Sequence, residues 1–257
     1  MEKNKLDILR AKVSQPKASG ARVENIRKKH YRFLIICEGE KTEPNYFKAL
    51  ARDEKYTAVI DVDVKGLGRS TTSLVKEAQK IKRNLERCNS LPFDRTWVVF
   101  DEDDNKDFNK AINDATANGL KVAWSNEAFE LWYLLHFIFL DTAITRKAYI
   151  EKLNNILRKK LETARYSYKK NDPKFYSLLQ NYGDEALAKR RAEKLRSCYS
   201  GNNYKKQKPC TTVDLLVEEI EHPEIYIDEE WKLDLFLTVK SLETLKSIEH
   251  GSMLIKR

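Results

Sequence analysis

At 257 residues with 41% hydrophobic content, the chain is long enough for one large domain, or one domain with an appendage, built on a real core. Lys and Arg total 48 against 39 Asp and Glu, a net charge of +9 within a charged fraction of 34%, so the chain reads as water-soluble rather than membrane-embedded. Four cysteines without CxxC spacing (Cys37, Cys88, Cys198, Cys210) and four scattered histidines (His30, His136, His222, His250) argue against a zinc site or a disulfide framework, and fit a reducing cytoplasm.

Residues 1–29 hold nine basic residues against three acids and no apolar core, which predicts a flexible basic leader. Such a leader either lies along a phosphate backbone or is a solvated tail. It lacks the pattern of a secretory leader. Arg32 to Cys37 reads as a buried strand, since five consecutive apolar residues suit a sheet covered on both faces. Glu38-Gly39-Glu40 is a turn, and Thr42-Glu43-Pro44 starts a helix, with Thr42 or Glu43 as cap and Pro44 at the first helical position. Tyr46, Phe47 and Leu50 give that helix an apolar side.

Residues 57–65 alternate with the period of a half-exposed strand near a sheet edge. Gly66-Leu67-Gly68-Arg69 then turns into Ser70-Thr71-Thr72, the cap of a helix to about Cys88. The turn lacks both GxxxxGK[ST] and a third dinucleotide glycine, so it is read as a tight turn with Arg69 in reach of nucleic-acid phosphate. Arg95 to Phe100 is the next strand, and Asp101-Glu102-Asp103-Asp104 follows it directly. A helix over 107–118 closes at Gly119, a fourth strand spans Leu120 to Trp124, and a strongly apolar helix runs from about Glu127 to Leu140. Its lone His136 is read as a satisfied core residue, and the apolar run is about half the length a membrane span needs.

Beyond residue 145 the pattern is helical, over 146–163, 173–181, 184–199 and 211–221, with a basic loop at Lys205-Lys206-Gln207-Lys208. Tyr166, Tyr168 and Tyr204 sit among Lys and Arg, where packing is preferred to nucleobase stacking. The expected architecture is α/β, a Rossmannoid parallel sheet flanked by helices, divided into a leader (1–29), an α/β core (30–140) and a helical C-terminal extension (141–257).

In an open α/β sheet, ligands bind at the carboxyl ends of the strands, where Glu38 and Asp101 both fall. Asp103, two residues on, can point to the side of Asp101. Clustered acids at such an edge suit a divalent metal with oxygen ligands, although a polar loop ending in a helix cap would also explain the aspartates.

These residues carry a resemblance. A strand ending in Glu-Gly before a helix, with a later strand ending in Asp-x-Asp, looks like the Toprim fold. Ile36-Cys37-Glu38-Gly39-Glu40-Lys41-Thr42-Glu43-Pro44-Asn45-Tyr46-Phe47, with Phe129-Glu130-Leu131-Trp132 and Leu135-His136-Phe137, more closely resembles the RloB family over roughly residues 22 to 220. The resemblance implies Mg2+ or Mn2+ held by Glu38, Asp101 and Asp103. It also implies roles for Glu43, Glu130 and Lys170, the last from Tyr168-Lys169-Lys170-Asn171-Asp172. Glu127-Ala128 departs from the family's pattern and leaves the local helix start open.

The resulting expectation is a metal-dependent nuclease cutting DNA or RNA, transfer RNA included, as the cytoplasmic effector of a prokaryotic anti-phage or abortive-infection system with an ATPase partner. Lys28, Lys29, Lys41, Arg69, Lys169, Lys205 and Lys206 would contact nucleic acid. The rival is a non-catalytic subunit that binds nucleic acid or docks on the ATPase; its acid set would be expected to have decayed, and here it is intact. A different phosphoryl-transfer enzyme would place its acidic loop after the first strand, whereas here the cluster follows the third. Homo-oligomerisation is left open.

Overall fold

The computed structural model describes residues 30–53, 60–68, 71–102 and 106–228. The leader, the extension beyond 228, and Lys28, Lys29, Arg69 and Asp103 therefore lie outside the described residues. Residues 29–221 make one compact unit; 222–228 fall in a second, where Glu224–Asp228 forms a π-helical turn.

The first unit follows the alternation read from the sequence: β1 (Tyr31–Cys37), α1 (Thr42–Ala51), β2 (Ile60–Gly66), α2 (Thr71–Asn89), β3 (Arg95–Glu102), α3 (Phe108–Ala117) and β4 (Lys121–Asn126). The helices α4 (Glu130–Leu135), α5 (Arg146–Lys160), α6 (Phe175–Tyr182), α7 (Glu185–Ser197) and α8 (Val213–Glu221) come after the sheet. The four strands are all parallel in the order β2-β1-β3-β4, with β2 at an edge as its alternation predicts. The connection from β1 runs to one side and that from β3 to the other. Right-handed crossovers therefore put α1 on one face and α2 and α3 on the other, and the strand order reverses between β1 and β3.

Both faces of the central strands are covered, which is why Phe33 to Cys37 are all fully buried. Leu34, Ile36, Val98, Phe100 and Trp124 pack with Leu74 and Ala78 of α2 and with Phe108 and Ala111 of α3. On the opposite side an aromatic chain ties α1 to the later helices: Tyr46 lies 5.6 Å from Phe129, Phe129 5.3 Å from Tyr133, and Tyr133 4.4 Å from Phe175. Each such ring pair adds about 0.5–1.5 kcal/mol to the area it buries.

Among the boundaries that differ from the sequence reading, three have a tertiary cause. First, α1 starts at Thr42, and neither Thr42 nor Glu43 caps it: Thr42 Oγ1 donates to the Lys170 carbonyl at 3.0 Å, and Glu43 is buried against Gly39.

Second, the apolar segment 127–140 is helical only over Glu130–Leu135. Glu127 takes a positive φ of 60°. At the other end, Arg191 donates to the Leu135 carbonyl at 2.6 Å and Asp184 N to the His136 carbonyl at 3.0 Å, so tertiary donors satisfy carbonyls that a longer helix would have used.

Third, α8 begins two residues late. Thr211 forms an antiparallel bridge with Ser125, and Thr212 N donates to the Trp124 carbonyl at 2.8 Å, so this segment completes the exposed edge of β4.

Candidate functional site

The carboxyl ends of three strands are tied together at the point of strand-order reversal. Glu38 N donates to the Val99 carbonyl at 2.8 Å, which carries the β1–β3 ladder one residue beyond β1. Gly68 N returns to the Glu38 carbonyl at 2.8 Å from the end of β2. Close approach requires glycine here. A Cβ on Gly66 would lie 2.6 Å from the Gly39 carbonyl oxygen, and one on Gly39 would lie 2.2 Å from Glu43 Oε2.

A pocket of about 550 Å³ opens at this edge, walled by Glu38, Glu43 and Asp101 on one hand and Lys41, Lys170 and Arg146 on the other. The strand supplies Asp101, the first turn of α1 supplies Glu43, and the first residue of α5 supplies Arg146. Lys170 is brought in from a loop whose backbone α1 holds: the Thr42 bond above is followed by Asn45 Nδ2 donating to the Asn171 carbonyl at 3.4 Å. Arg146 donates to the Glu127 carbonyl at 2.7 Å and keeps Nη2 3.7 Å from Asp101 Oδ2. The left-handed residue that ends the approach to α4 thus aims the carbonyl that anchors this guanidinium.

Burial raises the Asp101 pKa well above the ordinary carboxylate range, the charges of Glu43 and Glu130 raise it further, and Arg146 with a hydrogen bond from the Phe129 backbone opposes them. Glu43 is also raised, first by burial; its own backbone hydrogen bond opposes this, Glu130 adds to it, and Lys170 and Arg146 pull it down. Glu130 lies buried behind both and accepts from the Tyr168 hydroxyl at 2.9 Å. Burial, with the repulsion between these carboxylates, thus outweighs what Arg146 and Lys170 relieve, a condition that a divalent cation would offset.

The donors are carboxylate oxygens, the hard ligands that Mg2+ and Mn2+ take. Among the described residues, no three of Glu38, Glu43, Asp101 and Glu130 have carboxylate oxygens all within 4.8 Å of one another. Of the three acids expected to hold the ion, Glu38 and Asp101 line the pocket, and Asp103 lies outside the described residues.

Of the residues singled out from sequence, Glu38, Lys41, Glu43, Asp101 and Lys170 meet at the pocket, and Glu130 stands just behind it. Lys169 is exposed next to Lys170. Lys205 and Lys206 lie apart from the pocket walls. Lys205 and Lys208 pair at 3.4 and 2.5 Å with the fully buried carboxylate of Glu102, and Lys206, itself exposed, ends a one-turn 3-10 helix. Tyr168 is packed against Phe175 at 4.9 Å and Tyr204 against Trp124 at 6.0 Å, which is the packing reading of both. His136 is buried, with Nδ1 3.0 Å from the Trp132 carbonyl oxygen. Nothing in the sequence around Arg146 but a helix start marks it as a pocket residue.

The family model described as RloB-like protein matches residues 33–220. No curated protein and no solved structure matches the chain.

Proposed function

The chain belongs to the RloB-like family, and from that premise we propose that it hydrolyses phosphodiester bonds in DNA or RNA, transfer RNA included, using Mg2+ or Mn2+ held by Glu38, Asp101 and Asp103. The observation that supports this most is one pocket at the strand-order reversal lined both by the carboxylates Glu38, Glu43 and Asp101 and by the cations Arg146, Lys170 and Lys41. When bound, the ion would neutralise phosphate charge and make a water it carries easier to deprotonate.

The protein groups have separable tasks in this reading. Arg146, Lys170 and Lys41 hold the phosphate, Arg146 with a planar fork that matches two oxygens at once. Glu43, kept basic by burial and by Glu130, takes a proton from the attacking water. Tyr168 fixes Glu130 through its hydroxyl, so that charge stays behind the site rather than in it. Within a prokaryotic defence system the protein would be the cytoplasmic effector, released to act by an ATPase partner. Four unpaired cysteines agree with that compartment, and no helix among the described residues is long and apolar enough to cross a membrane.

The test compares wild type with Glu38→Ala and Asp101→Ala on plasmid, single-stranded DNA and transfer RNA in Mg2+, Mn2+ and chelator. Metal-dependent cleavage that falls at least about 100-fold in both variants is the expected result. Cleavage surviving both substitutions and chelation sinks the proposal. Tight binding without any cleavage by wild type moves the protein to the non-catalytic reading.

A further inference from the structure

The helix α2 leaves the pocket edge with a basic stripe on its outer face. Its inner side, Leu74, Val75 and Ala78, is buried in the sheet core. Lys76, Lys80, Arg83 and Arg87 are all exposed, and their spacing of four, three and four residues puts them on one line along the helix. Eleven residues separate the first from the last, a rise of about 16 Å.

The two acids of α2 do little to neutralise this line. Glu86 Oε1 accepts from Phe93 N at 3.0 Å, and Glu77 makes one surface contact with Lys80 at 3.5 Å. Lys76, Arg83 and Arg87 have no acidic partner among the described residues. The helix runs antiparallel to the strands, with Thr71 near the carboxyl edge of the sheet, where Gly68 lines the pocket, and Asn89 near the amino edge. The helix therefore starts at the sheet edge that holds the pocket, and the stripe leads away from that edge.

We propose that this stripe is a track for the phosphate backbone of the nucleic acid whose scissile bond lies in the pocket, an inference that rests on the nuclease reading for its substrate but not for its test. A duplex presents one phosphate charge per ~1.7 Å of axis, so about 16 Å of helix faces more phosphates than the four cations need. The contacts are with charge rather than bases, and the track is indifferent to sequence.

The test measures binding by fluorescence anisotropy across a salt series, in chelator so that nothing is cut. The probes are labelled duplex DNA, single-stranded DNA and RNA of one sequence. The full chain is compared with a variant carrying Lys76→Gln, Lys80→Gln, Arg83→Gln and Arg87→Gln. A control loses the same charge at exposed positions off the stripe: Lys152→Gln, Lys159→Gln, Lys160→Gln and Lys174→Gln. A charge-keeping variant (Lys76→Arg, Lys80→Arg, Arg83→Lys, Arg87→Lys) checks that any loss is electrostatic.

On the probe that is the true partner, the stripe variant flattens the log-log salt slope by about three to four, and affinity at low salt falls by roughly tenfold or more, because each phosphate contact contributes about 0.7–0.9 to that slope. The control and the charge-keeping variant retain the wild-type slope. Equal losses in stripe variant and control, an unchanged slope in the stripe variant, or absence of binding by wild type to every probe overturns the track. A flattened slope with no metal-dependent cleavage by wild type would retire the nuclease reading and leave the track standing.

Discussion

A methyl group at Gly39 would sit 2.2 Å from the Glu43 carboxylate, so this glycine is what lets a buried acid lie against the backbone at the end of β1. Asp101 shows what that crowding costs. Its side chain is only 14% exposed and its nearest cation, Arg146, stands 3.7 Å away. Its pKa in the folded protein is raised, so the stability it contributes is present below the unfolded value of about 4 and is lost as pH rises through the folded one. At neutral pH the buried Asp101 carboxyl therefore costs the metal-free protein stability. Asp101→Asn is expected to raise the melting temperature in chelator by roughly 2–4 °C, the shift about 1 kcal/mol gives in a domain of this size. The same change should abolish the further rise that Mn2+ gives wild type. A lower melting temperature in chelator would show that Asp101 is already well compensated. Glu38 and Asp101 were legible because each follows an apolar strand, and Glu43 only through the family resemblance, whereas Arg146 reaches the pocket from a helix start 45 residues after Asp101 in the chain.

Among the elements, α8 depends on tertiary charge pairing rather than on its apolar side alone. Asp214 pairs with Arg196 at 2.5 Å, Glu219 pairs with Arg95, and Glu218 and Glu221 with Lys189, and these acids are largely buried. Arg196 also donates to the Thr211 carbonyl at 3.0 Å, the residue that bridges to β4. Arg196→Met would leave the Asp214 carboxylate buried without its partner and should destabilise by about 3 kcal/mol in urea unfolding. Adding Asp214→Leu should restore most of that, because the uncompensated charge is then gone. A loss of under about 1 kcal/mol from the single change would mean that the pair does not hold the helix. The same dependence explains the boundary errors. Thr42, Thr211 and the carbonyls of Leu135 and His136 are engaged by residues far away in sequence, and local capping patterns cannot register such partners.

At the level of the whole molecule, groups of opposite sign shape stability against pH. Burial lowers the His136 pKa to about 4 from an ordinary 6.5, with its Trp132 hydrogen bond opposing. Its contribution is fully present above pH 6.5 and is lost as pH falls toward 4, up to roughly 3 kcal/mol. Asp101 and Glu43 act the other way over falling pH, regaining stability as they protonate. The clean measurement is the difference between wild type and His136→Phe in urea unfolding from pH 7.5 to 4.5: wild type should lose stability faster below 6.5, and parallel curves would refute a neutral buried imidazole. By itself the sequence determined the alternation of strands and helices, the parallel sheet and the placement of acids at two strand ends, because hydrophobic period and Gly or Pro punctuation are local properties of the chain. Only the tertiary structure decided that β1 and β3 are neighbours at the reversal of strand order, that Glu43 and Lys170 face the same pocket, that Arg146 completes it, and that Lys205 turns to Glu102 instead. Those outcomes turn on which distant groups satisfy one another's charge and hydrogen bonds once the core has closed, and that information is absent from any single stretch of the chain.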